Sequence, residues 1–239
     1  MNLHVISTGS KGNCYLLTDD QGRAIALDAG VAVKEIYTAL NHDIARFDGA
    51  LITHEHKDHC KAAKALADAG IPVYMTIGTV EALFDGGRYV TAGANLPFKV
   101  GSWYVRPFVT DHDAAEPVGF LLANGSHRIM YATDTYLIRY SVPGLTHIIV
   151  ECNYVSAKAM RSEMDGRRDR LMKSHMSLET LLRWLKMVDL THCVKIILVH
   201  LSDSNSDEKQ MVDEITNATG IETIAAADGM NINMDLFPF

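Results

Sequence analysis

Three histidines and an aspartate are packed into six residues, His54-Glu55-His56-Lys57-Asp58-His59, directly behind the apolar run Gly49–Thr53. Side chains alternate faces in an extended segment, so His54, His56 and Asp58 can project to one side, and His59 can join them as the chain turns into the next helix. Such a run needs a strand end to display it and other elements to close around it. A polar loop has few structural uses for histidine at that density, whereas four converging imidazole and carboxylate groups suit a metal ion. Zinc fits this donor set, and so do iron and manganese, so the residues by themselves leave the metal open.

The rest of the chain bounds what can surround that run. With 239 residues, 22 basic and 29 acidic, the formal charge is −7. That balance argues against coating nucleic acid or anionic membranes by bulk electrostatics, while leaving room for a local basic site. No apolar stretch approaches the roughly 20 residues of a membrane span. Cys14, Cys60, Cys152 and Cys193 form no CxxC pair and read as reduced thiols, and the N-terminus carries no export signal, so a cytoplasmic protein is expected. Even composition predicts a single domain over residues 1–239.

Short apolar runs punctuated by Gly and Asp predict strands at Leu3–Ser7, Asn13–Thr18, Arg23–Asp28 and Gly49–Thr53, with helices at Ala32–Leu40 and Cys60–Ala69. Further strands are expected at Val73–Met75, Trp103–Val109, Val118–Ala123, Arg128–Ala132, His147–Glu151 and Val194–Val199. Helices are expected at Ala157–Met172, Leu178–Val188 and Asp207–Thr219, and short closing strands at Glu222–Ala225 and Ile232–Asp235. This interleaving predicts a mixed sheet, or two sheets, covered by helices.

The HxHxDH run resembles the signature of the metallo-β-lactamase fold hydrolases. Leu27-Asp28-Ala29-Gly30 resembles that family's first motif, and His112, Asp134 and His200 stand at predicted strand ends where its later ligands belong. The resemblance implies an αββα sandwich of four layers, two mixed sheets flanked by helices. It implies two divalent metal ions, zinc first with manganese or iron as alternatives. His54, His56 and His112 would hold one, and Asp58, His59 and His200 the other, with Asp134 bridging and Asp28 orienting a ligand imidazole. His4, His42, His127, His147 and His192 match no motif and are expected in ordinary roles.

The opening Ser7-Thr8-Gly9-Ser10-Lys11-Gly12-Asn13 is similar to the start of the YycJ/WalJ-type subfamily, as are Glu151-Cys152-Asn153 and His200-Leu201-Ser202. Lys173-Ser174-His175-Met176-Ser177 resembles that subfamily's His-Leu-Ser element. Tyr154 and Val155 depart from it, standing where a histidine and an aspartate are usual. The interval from Asp134 to His200 is too short for the cap domain of nucleases that process long RNA. It also lacks the Gly-Pro-rich arm of tRNA 3′ processing enzymes.

The subfamily implies phosphodiester hydrolysis directed at DNA 5′ ends, by attack of a metal-bridging hydroxide with Asp58 and His175 as catalytic groups. The expected partner is a nucleic-acid end or a nucleotide. Ser10, Asn13, Asn153, Arg167 and Arg168 are candidate substrate contacts. Arg161, Arg167, Arg168, Arg170 and Lys173 outnumber Glu163, Asp165 and Asp169, which reads as a phosphate-facing arm or, equally, as a solvated helix face. Ser177 reads equally as a helix cap. Two other classes stay open. A small-substrate hydrolase acting on a cyclic nucleotide, thioester or lactone would share the metals, whereas a non-catalytic binding protein would be expected to have lost ligands. Oligomeric state is not legible.

Overall fold

The computed structural model describes residues 1–160 and 172–236. It contains two seven-stranded sheets. The first runs in the order β14-β1-β2-β3-β4-β5-β6, built from β1 (Asn2–Ser7), β2 (Cys14–Thr18), β3 (Ala24–Leu27), β4 (Phe47–Leu51), β5 (Val73–Met75), β6 (Val90–Thr91) and β14 (Asn231–Asn233). The second runs β13-β12-β11-β10-β9-β8-β7, built from β7 (Phe98–Val100), β8 (Trp103–Val109), β9 (Val118–Asn124), β10 (His127–Ala132), β11 (His147–Glu151), β12 (Lys195–Val199) and β13 (Glu222–Ala225). Each sheet is antiparallel on one side and parallel on the other. The switch falls at β3 in the first sheet and at β10 in the second.

Strand alternation explains the layers. On β2, β3 and β10, Tyr15, Leu17, Ile25, Leu27, Ile129 and Tyr131 point between the sheets and pack with Trp103 and Phe120. The intervening Leu16, Ala24 and Ala26 face outward against Ile36 and Leu66 of the helices Val33–Ala39 and Ala63–Asp68. Met130, Ile148 and Ile196 face outward from the second sheet onto Leu181, Trp184, Met211 and Ile215 of the helices Leu178–Leu185 and Glu208–Thr219. Both strand faces are therefore buried. That is why these segments read as unbroken apolar runs, each buried Leu or Ile contributing roughly 1.5–3 kcal/mol. The result is the expected αββα sandwich.

Several elements differ from expectation. The helix anticipated over Cys60–Ala69 forms as Lys57–Cys60 and Ala63–Asp68. The helix Ile77–Leu83 and the edge strands β6 and β7 carry too little periodicity to be read in advance. Of the helix expected at Ala157–Met172, Ser156–Ala159 is helical, and residues 161–171 lie outside the described residues. Among the described residues no helix is long and apolar enough to cross a membrane.

Candidate metal centre

Asp28, His54, Asp134, Glu151 and His200 all lie just beyond or at the C-terminal ends of β3, β4, β10, β11 and β12, the strands that take part in parallel pairing. Asp28 (φ 57°), Asp134 (φ 45°) and His200 (φ 53°) are left-handed, a conformation in which Asp and His are enriched among non-glycine residues. The chain reverses at these positions. Asp134 and His200 are thereby turned into one cleft between the sheets, with Asp28 buried behind it.

The HxHxDH run does not stay extended through Asp58. The His59 and Cys60 amides donate to the His56 carbonyl at 2.8 and 3.0 Å, so the helix Lys57–Cys60 begins immediately, and the His59 ring packs 4.2 Å from that of His54. That turn divides the run into two donor groups. His54, His56, His112 and Asp134 form one cluster able to hold a metal ion, Asp58, His59 and His200 form another, and Asp134, Glu151, His175 and His200 form a third that shares Asp134 and His200 with them.

In the first cluster, His54 Nε2 and His112 Nε2 lie 3.0 and 3.2 Å from His56 Nδ1. The His112 Nδ1–H donates to the Ser174 carbonyl at 2.9 Å, which leaves the Nε2 lone pair facing the cleft. His54 Nδ1 is paired with Thr53 Oγ1 at 2.9 Å, with the same consequence. Burial, reinforced by His59, holds His54 well below the usual imidazole range, and burial also lowers His112. The Nε2 lone pairs of His54 and His112 therefore converge beside His56 Nδ1. Asp134 spans both clusters, with Oδ2 3.5 Å from His112 Nε2 and Oδ1 3.3 and 3.2 Å from His59 Nε2 and His200 Nδ1.

Behind the second cluster, fully buried Asp28 accepts from His59 Nδ1 at 2.8 Å, the Tyr131 hydroxyl at 2.6 Å and the Thr53 amide at 2.8 Å. This fixes the ring so that Nε2 faces the cleft. Gly30 lets two loops touch, since a Cβ there would sit 1.7 Å from the Asp58 carbonyl oxygen. Tyr131 and Thr53 were not singled out in the sequence, because neither residue type signals a brace until the sheets are stacked.

Glu151 was missed as well. It is fully buried, and its Oε1 accepts from His175 Nδ1 at 2.5 Å and His200 Nδ1 at 3.0 Å, while Oε2 accepts from the Thr135 and Met176 amides. The one available signal was a carboxylate closing an otherwise apolar strand, the same signal Asp28 carries. His175 reaches Glu151 because residues 175–177 run beside 152–154, joined by the Asn153 amide to the Met176 carbonyl and by a Tyr154–Ser177 bridge. The His175 ring lies 5.3 Å from that of His112 and 5.2 Å from that of His200. Burial works against its charged form, but the Glu151 carboxylate prevails and raises it above the usual value.

The donor set fits cations. His200 Nε2 is buried without a hydrogen-bond partner, although it lies 3.8 Å from Asp58 Oδ2. Burial opposes charge on His200 and His59. Asp134, Asp58 and Glu151 nevertheless hold His200 up at about 10, and Asp134 and Asp28 raise His59 well above its usual value. The clustered carboxylates thus favour positive charge among them.

The candidate substrate contacts are distributed differently. Ser10 is exposed beside Asp58. Asn13 and Asn153 are buried and brace the site instead. Asn13 Nδ2 donates to the Gly9 carbonyl at 3.2 Å and lies 3.1 Å from His59 Nε2, and Asn153 Nδ2 donates to the His200 carbonyl at 2.8 Å. Tyr154 and Val155 are core residues, and Ser177 caps the helix Leu178–Leu185 by accepting from the Thr180 amide. Arg167 and Arg168, with the rest of the basic stretch before Met172, lie outside the described residues.

Histidines and carboxylates gathered at strand ends between the sheets of an αββα sandwich define a hydrolase of the metallo-β-lactamase class. Residues 23–201 match the beta-lactamase superfamily domain, and the chain belongs to that family. It is 29% identical over 157 residues to exodeoxyribonuclease YycJ of Bacillus anthracis, a match covering 61% of this chain and 59% of that protein. It therefore spans about three fifths of that relative's length. Exodeoxyribonuclease WalJ of Streptococcus pneumoniae is 25% identical over 260 residues, covering 98% of this chain and 92% of that one. Among solved structures, the metallo-β-lactamase fold protein YhfI of Bacillus subtilis has a TM-score of 0.75 at 17% identity, covering 97% and 98% of the two chains. That last likeness is one of fold.

Proposed function

We propose that this protein is a dinuclear, zinc-dependent phosphodiesterase acting on DNA ends. The observation that carries the reading is His175, held by Glu151 in the donor group that borders the two clusters assigned to the cations. An alkoxide leaving group needs a proton, and a partly exposed imidazole raised by a buried carboxylate is poised to supply one. The names of the two exodeoxyribonuclease relatives point the same way.

His54, His56 and His112 would hold one cation and Asp58, His59 and His200 the other, with Asp134 between them. When bound, the cations supply Lewis acidity that activates a water and offsets charge developing on the phosphoryl oxygens. Asp58, the most exposed of the cluster's carboxylates, takes the proton from the attacking water as its oxygen bonds to phosphorus. The P–O bond to the leaving oxygen breaks, and His175 protonates that oxygen. Glu151 fixes Nδ1 and leaves Nε2 to deliver the proton.

The test is metal analysis of the purified protein, followed by turnover of 5′- and 3′-labelled DNA, RNA, a cyclic nucleotide and a thioester. Release of nucleotides from DNA ends, lost in Asp58→Ala and His56→Ala variants that remain folded, is the expected result. Cleavage of only the cyclic nucleotide or thioester overturns the nuclease assignment. Full activity in either variant overturns the site.

A further inference from the structure

Asp58 has a second environment. It also lines a groove of about 690 Å³ whose walls carry Lys11, Lys57, Lys61 and Lys64. Lys61 and Ala62 are helical in backbone, so they link the helices Lys57–Cys60 and Ala63–Asp68. Lys57, Lys61 and Lys64 thus follow i, i+4, i+7 spacing, which stacks them along one face over roughly 10 Å at 1.5 Å per residue. Lys11 comes from the loop between β1 and β2, next to Ser10.

Among the described residues, no ion pair engages the Lys11, Lys57 or Lys61 ammonium groups. Lys64 pairs with Asp68 at 2.7 Å, but both side chains are about half exposed, so that pair is weak and exchangeable. Asp85, the other acid of the groove, already accepts from the Tyr89 hydroxyl at 2.6 Å and the Gly87 amide at 2.9 Å. In a chain of net charge −7, four lysines on one groove are a local reversal of sign. A cleft of one sign concentrates field and attracts an extended anion.

We infer that this groove is a phosphate track that holds the backbone of a single nucleic-acid strand and feeds it to Asp58. The inference rests on the nuclease reading above and names the surface that reading lacks. A span of roughly 10 Å covers about three axial rises of 3.4 Å, the reach of about four successive phosphates of a stacked strand. Lysine ammonium groups read phosphate as point charges without regard to base, so the engagement is independent of sequence.

The experiment titrates wild-type protein and a Lys61→Gln/Lys64→Gln double variant into a fluorescein-labelled phosphorothioate dT12, which resists hydrolysis, and follows anisotropy from 50 to 200 mM salt. Both positions are exposed and are not metal ligands, so metal content and melting temperature are expected to match wild type. Two lost phosphate contacts lower the slope of log affinity against log salt by about 1.4 and weaken binding about tenfold or more at 50 mM. Unchanged slope and affinity overturn the track. Equally tight binding of a polyglutamate of the same length overturns its assignment to nucleic acid. A wild-type protein that fails to hydrolyse labelled DNA sinks the nuclease reading, and lysine-dependent binding of dT12 in the same protein still upholds the track.

Discussion

Asp28→Asn tests whether the carboxylate behind His59 sets the state of the second donor cluster. Every group around Asp28 is a donor: His59 Nδ1–H and the Tyr131 hydroxyl at Oδ2, and the Thr53 amide and hydroxyl at Oδ1. An asparagine of the same shape presents an NH2 to one of these pairs whichever way its amide turns. With the NH2 toward His59, the imidazole must move its proton to Nε2, the atom that faces Asp58 and Asp134 at 3.6 and 3.3 Å, and an N–H there cannot ligate a cation. With the NH2 toward Thr53, a buried backbone N–H loses its acceptor at about 1–3 kcal/mol, and the bond to His59 loses its charge assistance.

Either orientation costs stability of about 2 kcal/mol. Because the outer partner of a ligand histidine is altered, metal affinity should also fall about 10–100-fold, equivalent to about 1.4–2.7 kcal/mol. Competition against a chromophoric zinc chelator, with urea unfolding on the same samples, measures both quantities. A variant that keeps wild-type affinity for all its metal, with stability within about 0.5 kcal/mol, refutes this reasoning.

Three further outcomes are expected. Glu151→Gln should weaken metal binding as Asp28→Asn does, since Glu151 also partners the ligand His200, and at saturating metal should lose about 10²–10⁴ in turnover. Removing the charge that raises His175 also moves the alkaline limb of the pH–rate profile to lower pH, and an unmoved limb removes His175 as the acid. His147 lies buried at the start of β11, with its Nε2 unpartnered, and burial, the stacked His127 ring and Lys195 lower it to about 3. Its folded value is below its unfolded one, so stability is complete above about pH 6.5 and declines as the pH falls toward 3. Between pH 7 and 5 this group alone should cost about 2 kcal/mol, and His147→Phe should remove that component from urea unfolding. Gly30→Ala should lower metal affinity more than Gly22→Ala, where a Cβ meets nothing within 4 Å, and equal metal titrations would refute the close packing of Gly30 on Asp58.

Features of this chain set by local interactions are legible in its residues, and those set by contacts between distant segments are not. Four of the clustered donors sit within six residues, so their convergence needs only a strand end and one helical turn. The apolar runs of β2, β3, β10, β11 and β12 likewise announce strands buried on both faces before any partner is known. The turn itself was less legible. His54 and Asp58 share a face in an extended chain, and only the bonds to the His56 carbonyl assign them to separate clusters.

Local pattern thus determined the strand-end histidine run, whereas the αββα class and the places expected for Asp28, His112, Asp134 and His200 came from the resemblance to the metallo-β-lactamase fold hydrolases. Tertiary structure alone decided that Glu151 joins His175 to His200, that Asn13 and Asn153 brace instead of facing outward, and that Lys11 stands in one groove with three lysines about fifty residues away. The physical reason is that burial and partnership are properties of stacked elements. A carboxylate or an ammonium has the same chemistry anywhere in the chain, and its role depends on which donors, acceptors and charges the fold brings within a few ångströms.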